Sequence, residues 1–408
     1  MKEKLIIRNF GPIKDVELDL GRFTILIGEQ ATGKSTVAKV LAVCRYFSYI
    51  IGDKNDILDQ SFSDGLEAWG MKECIQDKSY IKYTCKHYSF TATAITKKER
   101  EIEPNEDGTW SEYDFNIFTQ ELDPISDEFK NLLNELRKIK ATTKNNSGII
   151  AFTQFSSTIP TSFFLNDVKR VMDNPFYLPT QRGLQSIFSI GQNSIQNLSD
   201  ALFNQLANMD GIARHFTNET YIEPLDIFYK NVQGRGYIRK SNEEEYYSLF
   251  NAASGYQSEI PIILAVKYYN QIKKKNKTFL IEEPEQNLFP SAQEALMKYL
   301  VHQTMSFGNT ILITTQSPYI LSALNNYIYA YNVGQNHKDK VNAIISEQYW
   351  LRPSEVSAYK LKDGNAINII DEDLQEIIVE AIDEAGKQIN RDYDKMLDIK
   401  FEPDEKIK

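Results

Sequence analysis

Three stretches of this chain combine an unbroken apolar run with an abrupt polar end. Phe23–Ile27 reads as a buried strand, and it stops at Gly28-Glu29-Gln30-Ala31-Thr32-Gly33-Lys34-Ser35-Thr36. A helical spacing of apolar positions then predicts a helix over 35–49. Residues 278–281 and Thr310–Thr315 are two more buried strands, ending in Glu282-Glu283-Pro284-Glu285 and in Gln316-Ser317-Pro318. Ahead of the first run, residues 4–8 predict a short strand and 9–12 a turn. Val16, Leu18 and Leu20 alternate with acids, which predicts a half-exposed strand.

Further along, 51–70 is polar and loop-like, and 80–95 is rich in aromatic and β-branched residues. The latter predicts a hairpin decorating the first strands. Helical spacing appears over 122–140, with a polar linker at 142–147, and again over 161–173, 199–210 and 222–232. Residues 176–179 predict a strand, and 237–239 with 246–250 a second hairpin. Pro261 is expected in the first turn of a helix ending near Lys273, and Ser291 with Glu294 reads as a capping box. Short strands are expected at 327–333, 341–346 and 357–361, then an amphipathic helix over 373–393.

Composition narrows the class. With 408 residues, 42% hydrophobic and 25% charged, the chain has the make-up of an ordinary globular protein. Its net charge of −10 gives no broad attraction to nucleic acid, which leaves only a local basic groove open. From Leu351 onward nine basic side chains face fifteen acidic ones, a balance of −6. Cys44, Cys74 and Cys85 form no C-x-x-C pair, so neither a zinc site nor a disulfide framework is expected. No leader-like start and no bilayer-length apolar run appear, so the expected location is cytoplasmic, without a membrane.

The chemistry sits at the polar ends. Gly28, Gly33, Lys34 and Ser35 fit G-x-x-x-x-G-K-[ST] between a strand and a helix, the setting of a phosphate-binding loop. There Lys34 reaches the β- and γ-phosphates and Ser35 holds Mg2+. Glu282, at a strand end, is placed to hold Mg2+ through water, and Glu283 to orient and polarise the attacking water. Ser254-Gly255-Tyr256-Gln257 opens a helix and makes a second anion-favouring site. Gln316 closes the set as a polar contact to the γ-phosphate.

Together these segments resemble the ABC-type ATPase head of SMC-like proteins and of the OLD-family ATPases of bacterial phage defence. The resemblance implies an α/β P-loop NTPase of ABC-ATPase type with an antiparallel β subdomain and an inserted helical lobe. It places the nucleotide-binding lobe at 1–115 and 276–370, the helical lobe at 116–275 and a terminal amphipathic helix at 371–396. It puts Arg8, Asn9 and Phe10 near the adenine and Glu29 to Thr32 and Thr36 in Walker A. Gln181 becomes the Q-loop and Mg2+ residue, Ser254, Gly255 and Gln257 the signature motif, Glu282 and Glu283 Walker B, and Glu285 to Asn287 the D-loop. Gln316 stands where the family usually carries histidine. Glutamine takes up no extra proton near neutral pH, which implies slow hydrolysis or use of ATP mainly as a clamp.

The implied cofactors are ATP and Mg2+, and the implied assembly is a homodimer or higher homo-oligomer closed through the ATP site. No nuclease-like carboxylate or His/Cys cluster follows Pro318, so a separate, nuclease-like effector is expected. The size and motifs are similar to the ATPase subunits of two-gene defence systems such as PARIS and Septu. The alternatives are an SMC-like DNA repair ATPase that clamps DNA on ATP binding and, less well matched, the motor of a membrane transporter.

Overall fold

Phe23–Ile27 is buried at all five positions, so this strand, β3, must be covered on both faces. The computed structural model describes residues 3–46, 62–94, 118–127, 130, 131, 134, 175–184, 198–274 and 276–378. In it β3 lies inside an 11-stranded sheet. The strands before and after it in sequence are β1 (Glu3–Phe10), β2 (Ile13–Leu20), β4 (Ile75–Thr84), β5 (Tyr88–Ala94), β6 (Phe118–Pro124) and β7 (Phe176–Leu178). Strands β8 (Thr220–Ile222), β9 (Ile227–Val232), β10 (Arg235–Lys240) and β11 (Tyr247–Ser248) make a separate antiparallel sheet. The chain then supplies β12 (Thr278–Glu282), β13 (Thr310–Thr315), β14 (Val356–Lys362), β15 (Asn365–Asn368) and the small pair β16 (Ile370–Asp371) and β17 (Glu376–Ile377).

The large sheet has two halves. One is parallel: β7, β12, β13, β3 and β14 lie side by side, with Ile281 opposite Ile313, and Ile25 opposite both Ile313 and Ala358. The other is antiparallel: β2, β1, β4, β5 and β6. β15 joins them, antiparallel to β14 and touching β2 through Asn365 opposite Asp15. The 80–95 hairpin is therefore a continuation of the nucleotide sheet rather than a decoration on it.

The two-residue period of the strands divides the core. Leu26, Leu280 and Leu312 face a cluster with helix α1 (Lys34–Arg45) and helix α2 (Phe62–Ala68). Ile25, Ile281 and Ile313 face the opposite cluster. That side is built from α3 (Asp200–Ala213), α4 (Ser254–Lys267), α5 (Pro290–Phe307) and α6 (Pro318–Asn342). Burying each such side chain is worth about 1.5–3 kcal/mol, so both faces anchor the strand ends that carry the polar residues.

Several expectations are corrected. Part of the loop-like 51–70 stretch is helix α2, with Phe62 and Leu66 buried. Residues 122–124 belong to strand β6, not to a helix. The 222–232 stretch is β8, a short 3-10 turn and β9, so the 116–275 lobe is not purely helical. Its alternating burial, with Ile227, Tyr229 and Asn231 inward, is a strand period mistaken for a helical one. Pro261 lies inside α4 rather than in its first turn, because the helix begins at Ser254. Ser291 makes no capping box: Phe289 occupies the N-cap and Pro290 the first helical position. Residues 327–333 and most of 341–346 belong to or directly follow the long helix α6 and form no strands. No helix starts at Asp373, which lies in the turn between β16 and β17. The expectations at 47–50, 142–147, 161–173 and 379–393 lie outside the described residues.

Candidate nucleotide site

Strand β3 delivers the chain to a loop whose backbone requires glycine. Gly33 has φ of +95°, and a Cβ there would lie 2.4 Å from Ile13 Cδ1. A Cβ on Gly28 would lie 2.5 Å from the carbonyl oxygen of Leu361. The loop is thus pressed between the turn of the N-terminal hairpin and the end of β14. Helix α1 starts at Lys34 with no side-chain cap and no acid in its first turn, which leaves its N–H groups and dipole to an anion. Lys34 is 5% exposed, and its Nζ donates to the carbonyls of Gly28 and Glu29, each at 2.7 Å. Burial lowers its ammonium, and the carboxylates of Glu283, Glu285 and Glu282 oppose the fall. Those three acids, some 250 residues away in sequence, are the electrostatic neighbours of the loop lysine.

They come from the strand beside β13. Glu282 is the last residue of β12 and is buried. Its Oε2 accepts from the Thr180 N–H at 3.3 Å, while Oε1 is buried without a hydrogen-bond partner. The buried Tyr177 phenol beside it is pushed well up, by desolvation first and by this carboxylate second. A buried carboxylate oxygen without a donor suits a cation or the water on a cation, so the residues fit the Mg2+ that Ser35 and Glu282 would hold. Gln181, on the turn after β7, is exposed and adjoins Thr180, the residue bonded to Glu282.

Glu283 adopts φ of +42°, in the left-handed region that non-glycine residues rarely occupy. Its N–H donates to the Thr314 carbonyl at 2.8 Å. Its Oε1 accepts from Gln316 Nε2 at 2.6 Å. Glu285 holds the same loop from behind: Oε1 accepts from the Thr315 hydroxyl and from the Gln316 N–H, both at 2.7 Å. Burial raises the Glu285 carboxyl, and those two donors oppose the rise.

Helix α4 presents Ser254 exposed at its first position, again with no acid in the first turn. Gln257 does not point outward; its Nε2 donates to the carbonyls of Phe250 and Ala252, at 3.0 and 2.9 Å, and shapes the loop ahead of Ser254. Gly255 packs against the 283–288 turn, since a Cβ there would lie 3.1 Å from the Asn287 carbonyl. Asn287 Nδ2 donates to Ser258 Oγ at 3.1 Å.

The N-terminal trio separates. Arg8 is exposed, paired with Asp15 at 3.1 Å and standing over the Tyr80 ring. Asn9 is exposed with φ of +49°. Phe10 is fully buried in the core and offers no face to a base. Arg182, for which the sequence motifs imply no role, is fully buried at the centre of the site. An arginine on the turn that follows a strand ending beside the acids was the available signal.

The most similar solved structures include the SMC head domain from Thermotoga maritima, at 10% identity over 90% of this chain and 98% of that one, TM-score 0.39. The SmcHead bound to the C-winged helix domain of ScpA matches at 10% identity over 90% and 96%, TM-score 0.42. An Smc head domain with an extended coiled coil, bound to the C-terminal domain of ScpA derived from Pyrococcus furiosus, matches at 9% identity over 95% and 98%, TM-score 0.39. No curated protein matches the chain. Among the described residues no helix is long and apolar enough to cross a membrane. A family match that runs from the first strand past Gln316, over residues 1–51 and 53–321, decides the kinship: the chain belongs to the AAA ATPase domain family.

Proposed function

We propose that this protein binds ATP with Mg2+ in the Gly28–Thr36 loop and hydrolyses it between two copies of the chain. The observation that carries the reading is the convergence of Lys34, Glu282, Glu283 and Gln316 at the ends of adjacent strands β3, β12 and β13. Loop N–H groups and the start of α1 bind the phosphates, and Lys34 moves from its own loop carbonyls onto them. Ser35, Glu282 and Gln181 hold Mg2+, which supplies positive charge to the phosphate oxygens when bound. Glu283 accepts the proton side of the attacking water, and Gln316 fixes the carboxylate that does so. Arg8 and Asn9, exposed on the hairpin whose turn touches the loop at Pro12 and Ile13, are the residues we assign to the base end of the nucleotide.

Ser254 and Gly255 are read as the surface that meets the γ-phosphate of a partner copy, since α4 begins with an exposed, uncapped and acid-free N-terminus. ATP then closes a homodimer or a larger assembly and hydrolysis opens it. On the sequence resemblance, we assign that cycle to holding and releasing a separate, nuclease-like effector in antiphage defence. Phosphate release with Mg-ATP, followed across a range of protein concentrations alongside light scattering, tests the enzymatic part. Turnover per chain should rise with protein concentration as dimers form. A protein that releases no phosphate, or that turns ATP over at full rate as a monomer, overturns it. Co-expression with the adjacent gene product under phage challenge tests the role: protection by this chain alone would count against an effector.

A further inference from the structure

Arg182 is the largest fully buried side chain of the described residues, and it makes no hydrogen bond to a carboxylate. Every bond goes to a main-chain carbonyl. Nε donates to Ser258 at 2.8 Å, one terminal nitrogen to Pro179 at 3.1 Å and Glu282 at 2.6 Å, the other to Glu283 at 2.6 Å. A planar guanidinium with five donors serves three chain segments at once, which a lysine ammonium does not. The segments are the turn after β7, the first turns of α4, and the end of β12.

The bonds to Glu282 and Glu283 flank a strained residue. Glu283 sits at φ of +42° with its N–H fixed by Thr314 and its carbonyl fixed by Arg182. A left-handed backbone at a non-glycine residue persists only where its surroundings hold it. On the other side, Ser258 receives Arg182 at its carbonyl and Asn287 at its hydroxyl, so α4 is tied twice to the 282–287 turn.

We propose that Arg182 is a positioning residue that holds Glu283 in its left-handed conformation and makes that conformation depend on where helix α4 stands. A movement of Ser254 on meeting a partner's phosphate passes along α4 to Ser258, through the guanidinium, to the two carbonyls that set the aim of Glu283. Glu259, the neighbour of Ser258, is buried with both carboxyl oxygens free of hydrogen bonds, and Arg182 is its electrostatic partner. Its oxygens take none of the guanidinium's donors, which all stay on main-chain carbonyls. The proposal rests on the reading of Glu283 as the water-orienting acid.

The test uses the full chain, with ATP and Mg2+, in four forms: wild type, Arg182→Lys, Arg182→Met and Arg182→Met/Glu259→Gln. Arg182→Lys should lower kcat about 10- to 100-fold while KM for ATP and binding of a fluorescent ATP analogue stay within about twofold, the signature of a group acting only on the chemical step. Above about pH 8, where Glu259 ionises, Arg182→Met leaves that carboxylate without its cation and should melt early; adding Glu259→Gln should restore the melting temperature there but not the turnover. Recovery of both together would make Arg182 a stability residue and overturn the proposal. Hydrogen exchange of the unliganded protein gives a reading independent of activity. Amides of 255–258 and 283–287 should lose protection together in Arg182→Lys, with α1 unchanged. A wild-type protein without ATPase activity would remove the function proposed above, whereas unchanged exchange in those two segments removes this coupling.

Discussion

Gln316 Nε2 donates to Glu283 Oε1 at 2.6 Å, so the side chain that follows β13 is bonded directly to the acid proposed to orient water. The two arrive from neighbouring parallel strands, β13 and β12, whose register puts Thr314 opposite Glu282. Glu285 steadies the arrangement by accepting from the Gln316 N–H.

The first prediction follows from that pair. Glu283→Gln removes the proton acceptor and should cost about 10²–10⁴-fold in kcat while leaving ATP bound and the assembly closed. Gln316→Ala frees Glu283 without removing it, and a loss of about tenfold in kcat at unchanged KM is expected. Gln316→His keeps a donor at the same place and adds a group that titrates near neutrality, so turnover should rise. Steady-state phosphate release with each variant checks all three; normal turnover by Glu283→Gln would remove the assigned role.

The second concerns Lys34. Its ammonium is buried and donates to two carbonyls of its own loop, so the loop is shaped by the residue proposed to hold phosphate. Lys34→Ala should abolish binding of a fluorescent ATP analogue. It should also loosen the loop, through two lost charge-assisted bonds of about 1.5–3 kcal/mol each before relaxation. Calorimetric titration with ATP and a melting curve of the unliganded protein read the two effects separately.

What could be read from sequence and what could not divide along physical lines. Phe23–Ile27, Thr278–Glu282 and Thr310–Thr315 were legible because both faces are buried and the apolar run is unbroken. Their polar ends followed from the same fact, since a chain leaving a two-sided core must turn polar. Strand β14 was legible as a strand, but not as the one lying between β3 and the N-terminal hairpin, because pairing across more than 300 residues leaves no local trace. Ile227–Val232 was misread because a strand with Phe228 half-covered mimics helical spacing over so short a window. Tyr327 and Ile328 lie in the middle of α6, where β-branched and aromatic residues are outweighed by packing against the core. Arg182 left little trace because its hydrogen bonds all go to main-chain carbonyls, which carry no residue identity.

The third prediction tests the surface of α4. Ser254 is exposed at the first helical position, so a larger side chain there is tolerated by the fold of the single chain. Ser254→Arg places bulk at the proposed junction between copies. Melting temperature and monomer nucleotide binding should stay near wild type, while concentration-dependent turnover falls about tenfold or more. In a Glu283→Gln background, light scattering should show the trapped assembly vanish when Ser254→Arg is added. If the assembly survives, the copies meet elsewhere.

The fourth is a pH dependence that belongs to Glu259. Burial lifts its carboxyl from the ordinary 4.5 to about 8, and the Arg182 guanidinium only partly opposes the rise. The folded chain therefore holds a proton that the unfolded chain has released, across the window from about 4.5 to about 8. In that window the unfolded state binds fewer protons, so unfolding free energy falls as pH rises and levels off above it. A shift of this size corresponds to an effect on the order of a few kcal/mol at the upper end. Glu259→Gln carries no titrating group and should flatten the decline. Denaturant melts of wild type and variant at pH 5, 6.5 and 8 are expected to show the variant gaining on wild type as pH increases. Parallel curves would mean that Glu259 is ionised in the fold throughout, held by the guanidinium it faces.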